Sequence, residues 1–464
     1  MRDLALRALA AWLLLAGAVR ADPVPHALQP GETLTLQRAV ELALAYQPAR
    51  LAAEARADAA REQVGEARAG LLPHVWGVAQ YLRSTNNGIG DTAFLSAPGV
   101  PRAPTTGEGV GSDQLGLSDT FDNYVAGLAA YQFLFDFGRR RGLVTQRDAE
   151  AEAQAARARL VELDVAYGAT VAYADLVAAR ESISVFERAV AQRAEQRHRA
   201  DVRAKADLAP AADVYTAETE LARAQLGLVE AQNTAAVDKA RLDTALGFGA
   251  DAPDYTLEKL AGGTPSDTLD VYLKRGLDQR PDLQMIQEQA RAAGAVITQA
   301  RSDYWPTVGA VGGINTRGQR GDVEDVGNYY VGVALTWPLF DGFATEHEVE
   351  TARLQQLALG HDIRDLRLQI AEQVQRAYLD CVAAGERITL AERAATAADV
   401  QLELATERYA NGLGSIIEVV EAERVSTDAN ALRVRASADL VSAHAALDRN
   451  TGELPAPAPA SVSP

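Results

Sequence analysis

The sequence predicts an α+β membrane protein built from a duplicated helix–strand–strand–helix unit, and three observations point there. The second half of the chain repeats the first, long stretches carry a seven-residue apolar repeat, and short stretches between them alternate with period two. A shift of 233 residues lays Gln47-Pro48 on Arg280-Pro281 and Pro73 on Pro306. A shift of 205 then lays Phe135-Asp136 on Phe340-Asp341, Tyr173 on Tyr378, Glu187-Arg188-Ala189 on Glu392-Arg393-Ala394, and Gly247 on Gly452. A duplication of this size implies two copies of one supersecondary unit that complete each other's core.

Residues 1–21 read as a secretory signal. Arg2 and Arg7 precede an apolar stretch from Ala8 to Ala18, with small residues up to Ala21. Such a stretch is too short to span a bilayer. Removing it takes away three Arg and one Asp, so the formal charge goes from −18 to −20. That balance argues against nucleic acid or anionic headgroups as partners. No Cys stands near the cleavage site, so a lipid anchor is not expected, and a single cysteine, Cys381, excludes an intrachain disulfide framework.

The first repeat is expected over 22–250, with strands at about 75–83 and 124–134 and a helical hairpin over 139–246. A Pro- and Gly-containing linker, 251–267, leads to the second repeat over 268–452. Its strands are expected at about 307–316 and 328–337 and its hairpin over 343–450. Residues 84–122, rich in Gly, Pro, Thr and Ser, read as a long outward loop, and 453–464 as a disordered Pro-Ala tail.

The helices rest on a strict seam. Ile370, Val374, Ala377, Cys381, Ala384, Ile388, Ala391, Ala395, Ala398, Leu402, Ala405 and Tyr409 step by four and three and are all apolar or aromatic. Such a repeat implies left-handed supercoiling of paired helices. In the first copy the same positions run from Val165 to Ala204, interrupted by Arg193 and Arg197, which loosen the seam there. Val214, Ala217, Leu221, Ala224, Leu228, Ala231 and Ala235 supply the returning helix. Some 65 residues at 1.5 Å each reach on the order of 100 Å. A soluble periplasmic coiled coil would carry the same seam.

The strands rest on alternation. Tyr329, Val331, Val333, Leu335 and Trp337 form an apolar face, while Tyr330, Gly332, Ala334 and Thr336 form a smaller, more polar one. This fits lipid on one side and a lumen on the other. Tyr329 and Trp337 are separated by about 26 Å of strand, the height of an apolar membrane band. Four strands cannot close, and open edges are untenable in lipid, so chains must share one barrel. Two chains give eight strands and a filled interior; three give twelve and a wider bore. A soluble hairpin on a stalk is the alternative.

With these motifs in order, the chain resembles the TolC family of outer-membrane channel-tunnels from about Leu34 to Gly452. The residues that carry the resemblance are Pro338-Leu-Phe-Asp-Gly342 and the turn from Tyr409 through Asn411-Gly412-Leu413-Gly414-Ser415 to Glu418 and Glu421. The first copy has a related Leu208-Ala209-Pro210 and Asp213-Val214. The resemblance implies a homotrimer with a twelve-stranded β-barrel in outer-membrane lipid, continuous with a long periplasmic α-helical coiled-coil barrel. It also implies docking to a periplasmic adaptor and an inner-membrane ABC or RND transporter. It places Leu208, Ala209, Pro210, Gly412, Leu413, Gly414 and Ser415 at the tips an adaptor contacts. It places Glu418, Glu421, Asp213 and Tyr409 at a periplasmic aperture. Gly414 stands where the family can use a latching Arg, so closure by that latch is not expected here.

The turns also make sense locally. Asn411-Gly412 suits the left-handed conformation that ends a helix, and Ser415 with Glu418 has capping-box spacing. In the first copy Asp207 replaces the Gly and Pro210 replaces the Ser; Pro suits a helix start. Glu418 and Glu421 are three apart and share a helix face, where threefold symmetry would gather six carboxylates that attract cations.

No catalytic, cofactor or metal motif is found: there is no phosphate loop, no zinc-protease helix and no cysteine cluster, and the six His are scattered. A passive export duct is therefore expected, for protein secretion of type I or for small-molecule efflux of drugs or metals. A non-channel periplasmic adaptor or coiled-coil scaffold is the alternative from another class; two hairpins with two strand pairs argue against it.

Overall fold

The computed structural model describes residues 28–84, 121–207, 210–249, 252–260, 262–263, 265–319 and 322–455. The expected signal (1–21), most of the long loop (84–122), Leu208, Ala209 and the tail beyond Pro455 lie outside the described residues. Two compact units divide the chain, and their boundaries fall within helices.

The element order is β1 (Thr33–Leu34), α1 (Leu36–Tyr46), α2 (Pro48–Ala69), β2 (His74–Ser84), β3 (Phe121–Phe135), α3 (Arg139–Lys205), α4 (Ala211–Ala245) and β4 (Thr256–Leu257). It continues with α5 (Leu269–Gln279), α6 (Pro281–Ser302), β5 (Thr307–Gln319), β6 (Asp322–Thr336), α7 (Ala344–Ala410) and α8 (Ile416–Thr451). The duplication holds to the residue in three pairs of helices. Helices α1 and α2 become α5 and α6 at a shift of 233, and α3 becomes α7 at a shift of 205, each of these two with 67 residues. At the start of each long helix two consecutive residues are left-handed: Phe137 and Gly138 in one copy, Gly342 and Phe343 in the other. Each pair spends one Gly on a turn that needs two such backbones, so one Phe in each is strained.

One unit, residues 52–161 and 270–374, holds a four-stranded antiparallel sheet in the order β2-β3-β5-β6. Tyr329, Val331, Val333 and Leu335 of β6 share one face with Ile314 of β5, Leu128 of β3 and Val75 of β2. All seven are exposed, Tyr329 at 83% and Val331 at 87%. On the opposite face Tyr131 lies across Gly309 and Tyr330 across Gly313, so closely that a Cβ on either glycine would clash with the ring. The strand of Tyr329 corrects the sequence reading, since it starts at Asp322 and ends at Thr336. Trp337 thus falls just past the strand, its indole Nε1 donating to the Tyr304 carbonyl at 3.1 Å. Tyr329 sits in mid-strand because the polar segment Asp322-Val323-Glu324-Asp325 extends the ladder beyond the apolar face.

The other unit, residues 28–51, 162–269 and 375–455 as described, packs the lengths of the hairpins. Nine of the twelve second-copy seam residues are buried and Ile388, Leu402 and Ala405 are half-buried. Asp399 of α7 ties to α8 by accepting from Ser426 Oγ at 2.6 Å and Asn430 Nδ2 at 2.9 Å. Cys381 is fully buried, and burial pushes its thiol up to about 11. The segment expected as a linker is structured in part. β4 pairs in parallel with β1, and the buried Tyr173 hydroxyl of α3 donates toward the Leu34 carbonyl at 2.9 Å while accepting the Glu258 N–H at 3.1 Å. Hydrogen bonding together with burial of Tyr255 in the core, against which Leu257 and Leu260 pack, fixes this segment.

No described helix is long and apolar enough to cross a membrane.

Candidate functional site

The tip of the second hairpin is built by backbone and cap bonds. The Leu413 N–H bonds back to the Arg408 carbonyl at 2.8 Å and the Gly412 N–H to Tyr409 at 3.1 Å. Gly412 takes the left-handed conformation (φ 74°) that this pair of bonds requires. Asn411 Nδ2 satisfies the Glu407 carbonyl at 2.9 Å. Ser415 then caps α8, its Oγ accepting from the Glu418 N–H at 3.3 Å. Gly414 is crowded: a Cβ there would meet Arg408 Cβ, Glu418 Oε2 and the Tyr409 nitrogen, each at 3.3 Å. A long side chain at 414 would displace the contact between Arg408 and Glu418.

The described residues on either side of the first tip carry poorer turn chemistry. Asp207 holds φ 56° where Gly412 stands in the second. Pro210 is the N-cap of α4, in the place that Ser415 takes in the second copy, and it makes no side-chain cap bond. The Asp213 N–H donates to the Pro210 carbonyl at 3.0 Å.

Tyr409 joins the two hairpins. It is buried among Ala200, Ala217, Ile416 and Val419. The Arg203 guanidinium lies 4.8 Å from its ring centre and donates to its carbonyl at 3.1 Å. Burial raises the Tyr409 hydroxyl, Arg203 opposes that, and the charge of Asp213 adds to it. The hydroxyl itself has no hydrogen-bond partner among the described residues, so Asp213 acts on it through charge alone.

The two glutamates are exposed and partnered. Arg408 Nη2 lies 3.7 Å from Glu418 Oε2. Arg424 grips Glu421 with two bonds, at 2.6 and 3.1 Å, and its other nitrogen reaches Asp428 at 2.9 Å. Hydrogen bonding from Arg424 holds the Glu421 carboxyl below its usual range.

Sequence reasoning missed three arginines here, Arg203, Arg408 and Arg424, and gave only part of the role of a fourth, Arg193. Arg424 was visible as an i,i+3 and i,i+4 partner of Glu421 and Asp428. Arg193 does not simply loosen the seam. It is 8% exposed and faces Glu423 of α8, itself 5% exposed, at 3.8 Å. Burial raises the Glu423 carboxyl, Arg193 pulls it down, and Glu220 raises it again. Arg197, by contrast, is exposed and pairs with Glu218 at 2.8 Å.

Among the described residues no group of His, Cys, Asp and Glu is arranged to hold a metal ion. What the tips offer is a surface and a set of charges, with exposed apolar Leu413 and Ile417 beside them.

Comparison with known proteins agrees with this construction. Protein CyaE of Bordetella pertussis is 29% identical over 448 residues, covering 93% of this chain and 87% of that protein. Cation efflux system protein CusC of Escherichia coli is 24% identical over 343 residues, 68% of this chain and 70% of that protein. In fold, the chain matches the outer membrane protein VceC of Vibrio cholerae with a TM-score of 0.74 at 21% identity, covering 90% of this chain and 96% of that one. It matches the CmeC outer membrane channel of Campylobacter jejuni with a TM-score of 0.75 at 17% identity, covering 90% and 85%. The model for the outer membrane efflux protein family matches residues 39–248 and 273–453. The chain belongs to the outer membrane efflux protein family, and is a passive export channel of the outer membrane that extends into the periplasm.

Proposed function

We propose that three copies of this chain form one duct, with an inner-membrane ABC or RND transporter supplying the energy and a periplasmic adaptor seated on the tips. The observation that carries this reading is the open sheet. β2 and β6 each have one unpaired edge among the described residues, and one face presents Tyr329, Val331, Val333 and Leu335 to the surroundings. A sheet with an apolar face belongs in lipid only when its edges are paired, and four strands per chain reach a wide bore at twelve. Tyr329 and Trp337 serve as interface anchors. Exposed Leu413 beside Gly412, Gly414 and Ser415, with Pro210 on the first hairpin, provides the adaptor's contact; Leu208 and Ala209 belong to the same turn. Glu418 and Glu421 line the aperture, with Tyr409 and Asp213 behind them.

Mass measurement in detergent should give three chains per particle, and a stable monomer that conducts would sink the proposal. For the cargo, protein of the type I secretion class is favoured over metal ions. Soft-metal transfer draws on thiolate, thioether and imidazole donors, and the 464 residues include one Cys, buried Cys381, two Met and six His. The similarity to a cation efflux protein supports small-molecule efflux as the second reading. Deleting the gene decides between them: loss of a secreted protein from the medium supports the first, and sensitivity to copper, silver or drugs with unchanged secretion supports the second.

A further inference from the structure

We infer that Arg424, seconded by Arg408, is a selectivity-determining residue of the aperture, cancelling much of the negative charge its carboxylates bring. The inference rests on the placement of Glu418 and Glu421 at the aperture. It differs in what it expects of the pore: a nearly balanced ring, not a bare ring of acids.

The geometry carries it. Arg424 makes three short bonds to two carboxylates, Glu421 at 2.6 and 3.1 Å and Asp428 at 2.9 Å. One guanidinium is thus shared by two acids one turn either side of it on α8. Arg408, at the end of α7, stands 3.7 Å from Glu418 across the tip turn, and the missing side chain of Gly414 leaves that approach open. Each protomer therefore brings Glu418, Glu421 and Asp428 together with Arg408 and Arg424. The sum is one negative charge per protomer, where the two aperture glutamates alone would bring two.

Stability does not explain these pairs. The side chains of Arg408, Glu418, Glu421, Arg424 and Asp428 are about half exposed or more, and exposed ion pairs on helices contribute little to folding. Charge at a constriction, in contrast, acts directly on what passes. Three tips brought together without the guanidiniums would also repel one another. With them, the ring tolerates anionic as well as cationic cargo, which suits polypeptide segments of either sign.

The test is conductance of the reconstituted trimer in a planar bilayer, read as reversal potential in a KCl gradient and as block by hexaamminecobalt(III). R424Q frees Glu421 and Asp428. The reversal potential should move toward the cation limit, and trivalent block should tighten by on the order of tenfold for each of the three unit charges removed, taking a trivalent ion ~10 Å away in water and before salt screening. R424K keeps the charge and should behave as the unaltered protein. R408Q should move both readings in the same direction by less, because its pair is longer. E418Q/E421Q should move both the opposite way. If E418Q/E421Q shifts the readings and R424Q does not, the role of Arg424 is overturned while the aperture stands. If neither variant shifts them, the aperture placement fails as well. Trimer yield on unheated gels, expected to be unchanged in every variant, separates loss of charge from loss of assembly.

Discussion

The two hairpins flank their tips with different residues. At the second tip the left-handed turn is Gly412 and the cap is Ser415; at the first they are Asp207 and Pro210. At the seam the pattern is similar: Ala398 and Leu402 in the second copy correspond to Arg193 and Arg197 in the first at the 205-residue shift. The second hairpin holds its conformation with local chemistry. The first sits in a less favourable backbone and places a charge in the packing, so it depends on its neighbour. Among its ties to the second hairpin near this end are Arg203 on Tyr409 and Arg193 on Glu423. A duplicated unit can thus diverge into one copy that is locally determined and one that is held by contact.

The buried pair is where breaking that dependence should cost most. At 3.8 Å it is too long for a hydrogen bond, and Glu423 Oε2 and the nearby Gln196 Nε2 are buried without hydrogen-bond partners. R193M leaves Glu423 buried and unpaired, a loss of about 3–5 kcal/mol for such pairs. Amide hydrogen exchange in α3 and α8 around the pair should accelerate, and R193M/E423L should restore protection because an apolar pair of similar volume needs no desolvation. Fast exchange in the double variant would show that the pair is more than a packing substitute. The pH dependence follows from the raised carboxyl. The folded state holds the Glu423 proton more tightly than the unfolded chain does, so its contribution is fully present below the ordinary glutamate range and lost as pH rises through the elevated value. Exchange protection near Glu423 should therefore fall across that window and flatten in E423Q. Arg193 and Glu220 are the charged groups that bear on it, and R193M should move the window upward.

Next in size is the clasp on Tyr409. R203A removes a cation–π contact and a bond to the Tyr409 carbonyl, together about 1–3 kcal/mol. The last turns of α3 and α7 should fray, seen as faster proteolysis at the tips with the trimer intact. If tip proteolysis were unchanged, the first hairpin would not lean on the second there.

How much of this was legible in the sequence depends on whether a feature is local or between repeats. The seam from Ile370 to Tyr409, the αL glycine at 412 and the Ser415 cap are fixed by spacing within one element, so periodicity and turn chemistry reach them. The partners of Arg193 and Arg203 lie more than 200 residues away, and no spacing rule connects them. The structured part of 251–267 was missed because two-residue strands carry no period, and its place is set by distant partners such as the Tyr173 hydroxyl, 85 residues from Glu258. The extent of β6 was misjudged for a different reason: alternation marks the apolar face, while the strand continues past its end to Asp322. The glutamates at 418 and 421 could be read from their positions, but not that Arg408 reaches Glu418 across the turn.

The smallest effects lie in the turns themselves, and they test whether local chemistry is what separates the copies. Asp207 occupies a conformation that glycine adopts without strain, so D207G should stabilise the first tip, by ~1 kcal/mol less any entropy glycine adds to the unfolded chain. G412A at the equivalent place should do the reverse, losing ~1 kcal/mol or more. S415A removes the side-chain N-cap of α8, which α4 lacks, and should cost a similar amount. Local hydrogen exchange at residues 202–207 and 408–418 reads all three. The sign must differ between D207G and G412A if the two turns share a backbone and differ only in residue. Should both substitutions loosen their tips, the Asp207 side chain is contributing something its backbone does not show, and the first turn is not merely a poorer copy of the second.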